Sequence, residues 1–97
     1  RRREAAVARL NQVPGLRCHL PDAGMFMMLD VRGTSLSSGA FSTKLYEATG
    51  VAVLDATAFG KSAAGHVRVS FVADDDSLEE ACRRISGFVR TLPGVAA

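Results

Sequence analysis

Arg68 is the residue whose type and position most clearly indicate chemistry. It lies in the apolar segment HVRVSF, residues 66–71, where Val67, Val69 and Phe71 alternate as in a strand. Arg68 and Ser70 should therefore point to the other face. A guanidinium is costly to bury without a partner, and its fork of N–H donors fits a carboxylate through two parallel hydrogen bonds, which a lysine cannot make. Arg68 is expected to pair with an internal acid or to bind a carboxylate from outside the chain.

Other polar residues are consistent with purely structural roles, including an internal ion pair for Arg68. Asp30 and Asp55 are the acids that could pair with Arg68 inside the fold. We expect His66 to project from the face opposite Arg68 and to be structural. Cys18 and Cys82 lack the spacing of zinc or redox motifs, so they predict two reduced thiols and no metal, with one structural disulfide as the alternative.

The composition is that of one small globular domain and excludes several classes of protein. The chain has 97 residues, of which 47% are hydrophobic and 23% charged, and a net charge of +2. With one Tyr, no Trp and no clustered basic face, it does not fit a nucleic-acid-binding protein. No apolar run approaches the roughly 20 residues of a membrane span, and no secretory signal is visible. The two thiols predicted to be reduced lead us to expect a cytoplasmic protein. Glu4 and the absence of an initiator Met indicate a chain cut from something longer.

Periodicity and turn residues predict alternating helices and strands. Ser38 is the expected N-cap of the second helix, with Gly50 at its C-terminal end. The fold class is α+β, with a mainly antiparallel sheet of three or four strands and helices packed on one face. The predicted order is helix 1–13, strand 16–20, strand 25–31, helix 39–49, strand 51–54, loop 55–65, strand 66–72, and a last helix that begins after Asp74–Asp76 and ends at Pro93.

The second predicted strand is apolar on both faces. Met25, Met27, Leu29 and Val31 alternate on one face, with Phe26 and Met28 on the other. A strand that is apolar on both faces is normally covered on both. In a chain this short, we interpret the second face as the site of a missing partner surface.

Several motifs together resemble a known family. The Ala58-Phe59-Gly60 turn, the Gly65–Ser70 segment GHVRVS and the Pro21–Val31 segment PDAGMFMMLDV are similar to the C-terminal end of pyridoxal-phosphate-dependent aminotransferases. These are the class I/II enzymes with the aspartate aminotransferase fold, and the resemblance covers nearly the whole chain. It implies that residues 1–97 are a single domain, the C-terminal small domain of a longer enzyme whose cofactor-binding large domain is absent here.

The resemblance also implies roles for individual residues. Arg68 would bind the α-carboxylate of the substrate, and the segment at Gly24 would run along the substrate, although Ala23 replaces the usual second glycine. Ala58 and Phe59 would lie near the mouth of the active site as pocket-wall residues. Asp55 departs from the common Pro-Gly pattern and becomes a candidate pocket-wall residue and a candidate partner for a basic substrate.

The same resemblance implies an activity for the parent protein. It would move an amino group from an amino acid to a 2-oxo acid with pyridoxal phosphate, and would be a homodimer. The run from Ala58 to His66 looks most like enzymes acting on polar or basic amino acids, including arginine–pyruvate types. Neither Lys44 nor Lys61 matches the Schiff-base lysine, so the chain alone should contain no catalytic residue, bind no cofactor and be inactive.

An alternative function of a different class accounts for the same residues. The chain would be a free-standing α+β module that binds a small ligand or a partner protein, with Arg68 as the anion anchor. Such a module should cover the second apolar face by dimerising.

Overall fold

Three helices pack on one face of a four-stranded sheet in the computed structural model, which describes residues 2–19, 26–60, 63–70 and 75–93. The α+β prediction and the predicted order of helices and strands are confirmed. Two short helices of the 3-10 type lie at Arg32–Thr34 and Ala56–Phe59. In chain order, the main elements are α1 Arg2–Asn11, β1 Arg17–His19, β2 Phe26–Asp30, α2 Ser38–Thr49, β3 Leu54–Asp55, β4 His66–Ser70 and α3 Asp75–Arg90.

The strands lie in the order β1-β2-β4-β3, and every pair is antiparallel. β1 with β2 and β3 with β4 pair as sequence neighbours, whereas the central β2–β4 pair joins distant parts of the chain. In that pair Met28 lies opposite Arg68 and Asp30 opposite His66. Because paired residues project from the same face, this register determines which side chains share each face.

The core fills the space between the helices and one face of the sheet. Met27, Leu29 and Val67 are fully buried there. Ala6 and Leu10 from α1, Phe41 and Leu45 from α2, and Leu78, Cys82, Ile85, Phe88 and Val89 from α3 pack against the same face. In the described part of the chain no helix covers the opposite face, which we call the open face. It carries Arg17, His19, Phe26, Met28, Asp30, Leu54, His66, Arg68 and Ser70.

The predicted third strand and the predicted cap of the second helix were wrong. The third strand is Leu54–Asp55 rather than 51–54, and a 3-10 turn follows it directly. The N-cap of α2 is Ser37, whose hydroxyl accepts a hydrogen bond from the amide of Ala40 at 3.1 Å. Ser38 instead donates its hydroxyl to Asp55, 2.7 Å away. Gly50 ends the helix as predicted, with a left-handed φ of 78° that glycine adopts without strain.

Side-chain contacts join α1 to the outer strand β1. The amide group of Asn11 donates to the carbonyl of Cys18 and accepts from its N–H, both at 2.8 Å. This pair of bonds satisfies backbone groups on an edge strand that would otherwise be available for pairing with another chain. Cys18 and Cys82 are both buried and free, as predicted.

Candidate functional site

Arg68 lies near the centre of the open face. Its strand, β4, is flanked by β2 and β3, so Arg68 has Met28 directly opposite on one side and Leu54 on the other. Arg68 is half-buried, while Leu54 is 53% exposed. The predicted alternation is confirmed, since Val67 and Val69 are buried on the helix side. The sheet therefore holds the guanidinium among apolar side chains on the face that the described helices leave uncovered.

An aromatic ring lies beneath the guanidinium. The Cζ atom of Arg68 is 4.8 Å from the centre of the Phe26 ring, a cation–π distance. Phe26 is opposite Ser70, which makes it the diagonal neighbour of Arg68 across the β2–β4 pair. Long and aromatic side chains reach such neighbours. The sequence placed Phe26 on this face but did not identify the contact, which depends on the register between β2 and β4.

His66 lies on the same face as Arg68, and the prediction that it faces the opposite side was wrong. The two residues are two positions apart, and a strand returns to the same face at every second residue. Its ring meets that of His19 edge to face, with centroids 5.9 Å apart, and Nδ1 lies 3.0 Å from the carbonyl of Ala64. His66 is buried. These contacts support the structural role that was predicted for it.

Asp30 and Arg32 form an ion pair at one end of the open face. The Nε of Arg32 donates to one carboxylate oxygen of Asp30 at 3.0 Å, and Nη2 donates to the other at 2.7 Å. These hydrogen bonds lower the pKa of Asp30 from 3.8 to about 2. Asp30, one of the two acids considered as an internal partner for Arg68, is thus engaged by Arg32.

Asp55, the other acid considered, projects towards the helices. It is paired with Val67, so its side chain leaves the sheet on the side opposite Arg68. Its carboxylate accepts from the amide of Thr57 at 3.0 Å and from the hydroxyl of Ser38, and these bonds lower its pKa. They give Asp55 a role within the fold, where it caps the 3-10 turn. Its contact with a basic substrate stays a prediction.

Three of the predicted site residues lie wholly or partly outside the described structure. Gly24 is not among the described residues. For Ala58 and Phe59 only the backbone is described, and it forms the end of the 3-10 turn Ala56–Phe59. Gly60 follows with a φ of 124°, a conformation that favours glycine. The roles of Gly24, Ala58 and Phe59 stay predictions.

Among the described residues, no lysine lies next to Arg68. Lys44, the lysine among them, is exposed on α2, and α2 packs on the side of the sheet opposite Arg68. A Schiff-base lysine must reach the cofactor next to the substrate, and Lys44 cannot do so from there. Within the same residues no three His, Cys, Asp or Glu side chains come together as metal ligands.

A separate groove lies away from Arg68. It has a volume of about 450 Å³ and is lined by the α1–β1 turn, by Arg17 and by the Asp30–Gly33 region. Its walls meet where Gly15 and Gly33 approach closely. Arg68 and Asp55, the predicted site residues whose side chains the structure describes, do not line this groove.

The helices in the described part of the chain were also compared with membrane spans. None of them is long and apolar enough to cross a membrane.

The sequence is similar to those of known proteins over most of its length. The family model for class I and II aminotransferases matches residues 1–85. The chain is 48% identical over 96 residues to arginine–pyruvate transaminase of Pseudomonas aeruginosa, covering 99% of this chain and 24% of that protein. It is 37% identical over 84 residues to an aspartate aminotransferase of Pyrococcus horikoshii, covering 87% of this chain and 22% of that protein.

Solved structures show the same fold. The crystal structure of an aromatic aminotransferase from Pyrococcus horikoshii superposes with a TM-score of 0.86 at 33% identity, covering 97% of this chain and 25% of that protein. The chain spans about a quarter of the length of the relatives it matches. The sequence match over most of the chain and the shared fold show that the chain belongs to the class I and II aminotransferase family.

Proposed function

We propose that this chain is the C-terminal small domain, residues 1–97, of a pyridoxal-phosphate-dependent aminotransferase, and that it supplies the clamp for the substrate carboxylate. The observation that carries the proposal is the position of Arg68, whose guanidinium lies on the open face among apolar side chains. Membership of the aminotransferase family supports it. The proposed reaction transfers an amino group from an amino acid to a 2-oxo acid.

Arg68 has a defined part in this reaction. Both the amino acid and the 2-oxo acid carry a carboxylate next to the reacting carbon, so one guanidinium can hold either substrate. Two parallel hydrogen bonds determine the orientation of the carboxylate as well as its position. Correct orientation of the reacting bond accounts for a large share of the rate in such reactions. The apolar neighbours Met28 and Leu54 limit water around the clamp, which strengthens its hydrogen bonds.

The cofactor belongs to the rest of the proposed enzyme. When bound, pyridoxal phosphate supplies the electron sink for breaking the bond at the substrate α-carbon. Because the described residues offer it no lysine near Arg68, we propose that the remainder of the protein holds it. The 97-residue chain alone should neither bind the cofactor nor turn over substrate.

The substrate class and the assembly are also proposals. The 48% identity to an arginine–pyruvate transaminase supports an amino donor with a polar or basic side chain. We further propose a homodimer in the cytoplasm, on the basis of the family resemblance. Size-exclusion chromatography with light scattering on the full-length protein tests the dimer, and a monomer at micromolar concentration would contradict it.

The decisive experiment compares the full-length protein with its Arg68→Ala and Arg68→Lys variants. Borohydride reduction should attach the cofactor to one lysine in all three, since Arg68 does not hold the cofactor. Arg68→Ala loses two charge-assisted hydrogen bonds, which together stabilise the transition state by about 3 kcal/mol. Its kcat/KM should therefore fall roughly hundredfold. Arg68→Lys should recover only part of this, because an ammonium cannot form the paired bonds.

Two results would contradict the proposal. A full-length protein without a lysine–cofactor adduct and without transamination would favour the free-standing binding module. An active enzyme with unchanged kcat/KM after Arg68→Ala would show that Arg68 has a structural role instead.

A further inference from the structure

We propose that Phe26 is a positioning residue for Arg68, and that its ring holds the guanidinium in the orientation that receives the substrate carboxylate. This inference rests on the proposed function of Arg68. The contact that carries it is the 4.8 Å distance between Cζ of Arg68 and the centre of the Phe26 ring. Phe26 would act on the reaction through Arg68 and would not itself be a catalytic residue.

The geometry of the sheet explains why position 26 has this role. Met28 and Leu54 lie directly opposite Arg68 and can contact the aliphatic part of its side chain. Neither has a ring face to attract the guanidinium. Phe26 lies one diagonal step further along β2, at a distance that the extended arginine side chain spans. Ser70, directly opposite Phe26, is small and leaves the space above the ring to Arg68.

The ring contact limits the freedom of a long side chain. An arginine has several rotatable bonds, and a clamp that samples many rotamers loses entropy each time it binds a carboxylate. A cation–π contact lowers this cost, because the guanidinium is already held before the substrate arrives. The predicted effect is therefore on substrate binding, and it should be equal for any substrate whose carboxylate occupies the clamp.

A role in core packing does not account for Phe26 equally well. The core aromatic residues Phe41 and Phe88 are buried and contact each other, with ring centres 5.6 Å apart. Phe26 is only half-buried and lies on the open face, away from that cluster. Its described ring contact is the one with Arg68.

The test is a double-mutant cycle in the full-length enzyme, with kcat and KM measured for the amino donor and the 2-oxo acid. Phe26→Leu should lower kcat/KM about tenfold in the Arg68 background, the size expected for a half-buried cation–π contact. The loss should appear mainly in KM and be similar for both substrates. In the Arg68→Ala background the same substitution should change kcat/KM less than twofold. Phe26→Tyr keeps the ring and should retain wild-type kinetics.

Matched controls separate positioning from general disturbance. Tyr46→Leu removes an exposed aromatic ring from α2, on the side of the sheet opposite Arg68, and it should change kcat/KM less than twofold. The cofactor absorbance and the melting temperature should be the same in Phe26→Leu and Phe26→Tyr. Should Phe26→Leu fail to fold, Phe26→Met provides a second substitution without a ring.

The outcomes distinguish this inference from the proposed function. If Arg68→Ala has no effect on kcat/KM, the carboxylate clamp is wrong and the role of Phe26 is overturned with it. If Arg68→Ala is impaired but Phe26→Leu matches wild type, only the positioning role is overturned. An equal loss from Phe26→Leu in both backgrounds would likewise overturn it, since Phe26 would then act independently of Arg68.

Discussion

Gly33→Ala should destabilise the chain because two backbone segments meet at this position. A Cβ atom on Gly33 would lie 2.7 Å from the carbonyl oxygen and 2.8 Å from the Cα of Gly15. Both contacts are shorter than van der Waals distances, and both involve backbone rather than a flexible side chain. The α1–β1 turn and the 3-10 helix Arg32–Thr34 would have to separate. Nothing in the sequence shows that these two glycines touch.

The magnitude follows from two opposing effects. Overpacking of this kind typically costs about 1–3 kcal/mol. Replacing glycine by alanine also raises the free energy of unfolding by about 0.4–1 kcal/mol, because alanine restricts the unfolded chain. We therefore expect the free energy of unfolding to fall by about 1–2 kcal/mol.

Gly87→Ala is the matched control, since it makes the same chemical change elsewhere. Gly87 lies inside α3, and nothing lies within 4 Å of an added Cβ there. Alanine is a better helix former than glycine by about 1 kcal/mol, so this variant should be more stable than wild type. The two alanine substitutions should thus differ by about 2–3 kcal/mol, with opposite signs relative to wild type.

Urea unfolding of the 97-residue chain, followed by far-ultraviolet circular dichroism, measures both variants. Equal slopes against urea would show that the substitutions change stability and not the surface exposed on unfolding. The contradicting result would be a Gly33→Ala variant as stable as wild type beside a stabilised Gly87→Ala variant. That result would mean that the two backbone segments do not make the close contact.

Three further predictions concern the thiols, an ion pair and a helix cap. Burial raises the pKa of Cys18 to about 12 and also raises that of Cys82, so neither thiol should react with Ellman's reagent at pH 8 until urea unfolds the chain. Arg32 lowers the pKa of Asp30 from 3.8 to about 2. The stability this gives is present above pH 3.8 and is lost as the pH falls towards 2, so acid titration of Asp30→Asn should show a smaller loss than wild type. Ser37→Ala should lower the free energy of unfolding by about 1 kcal/mol in urea titrations, because it removes the observed cap of α2.

The local elements followed largely from residue patterns. Asp74–Asp76 and Pro93 predicted the bounds of α3, and Gly50 predicted the end of α2, each within a few residues. The short strand β3 was less predictable, because it is only Leu54–Asp55 and its pairing with β4 defines it. The cap of α2 was misplaced by one residue since Ser37 and Ser38 are equally good caps in sequence, and Asp55 engages Ser38 only after the chain folds.

Arg68 was identifiable from sequence because a charged residue in an apolar strand is conspicuous whatever the fold. The residues around Arg68 could not be identified from sequence, because they depend on which strands pair and in what register. His66 is a different case, because it lies two residues from Arg68 in the same strand and the alternation of side chains alone places both on one face.

The sequence alone determined the fold class, the family resemblance and the presence of an unusual arginine in a strand, because these depend on residue types and spacing within short segments. Only the tertiary structure decided that β4 lies between β2 and β3, that Phe26 lies under Arg68, and that Asp55 binds Ser38. Hydrogen bonding between segments distant in sequence creates these neighbours. A pattern of residues along the chain does not specify which distant partner each strand will have.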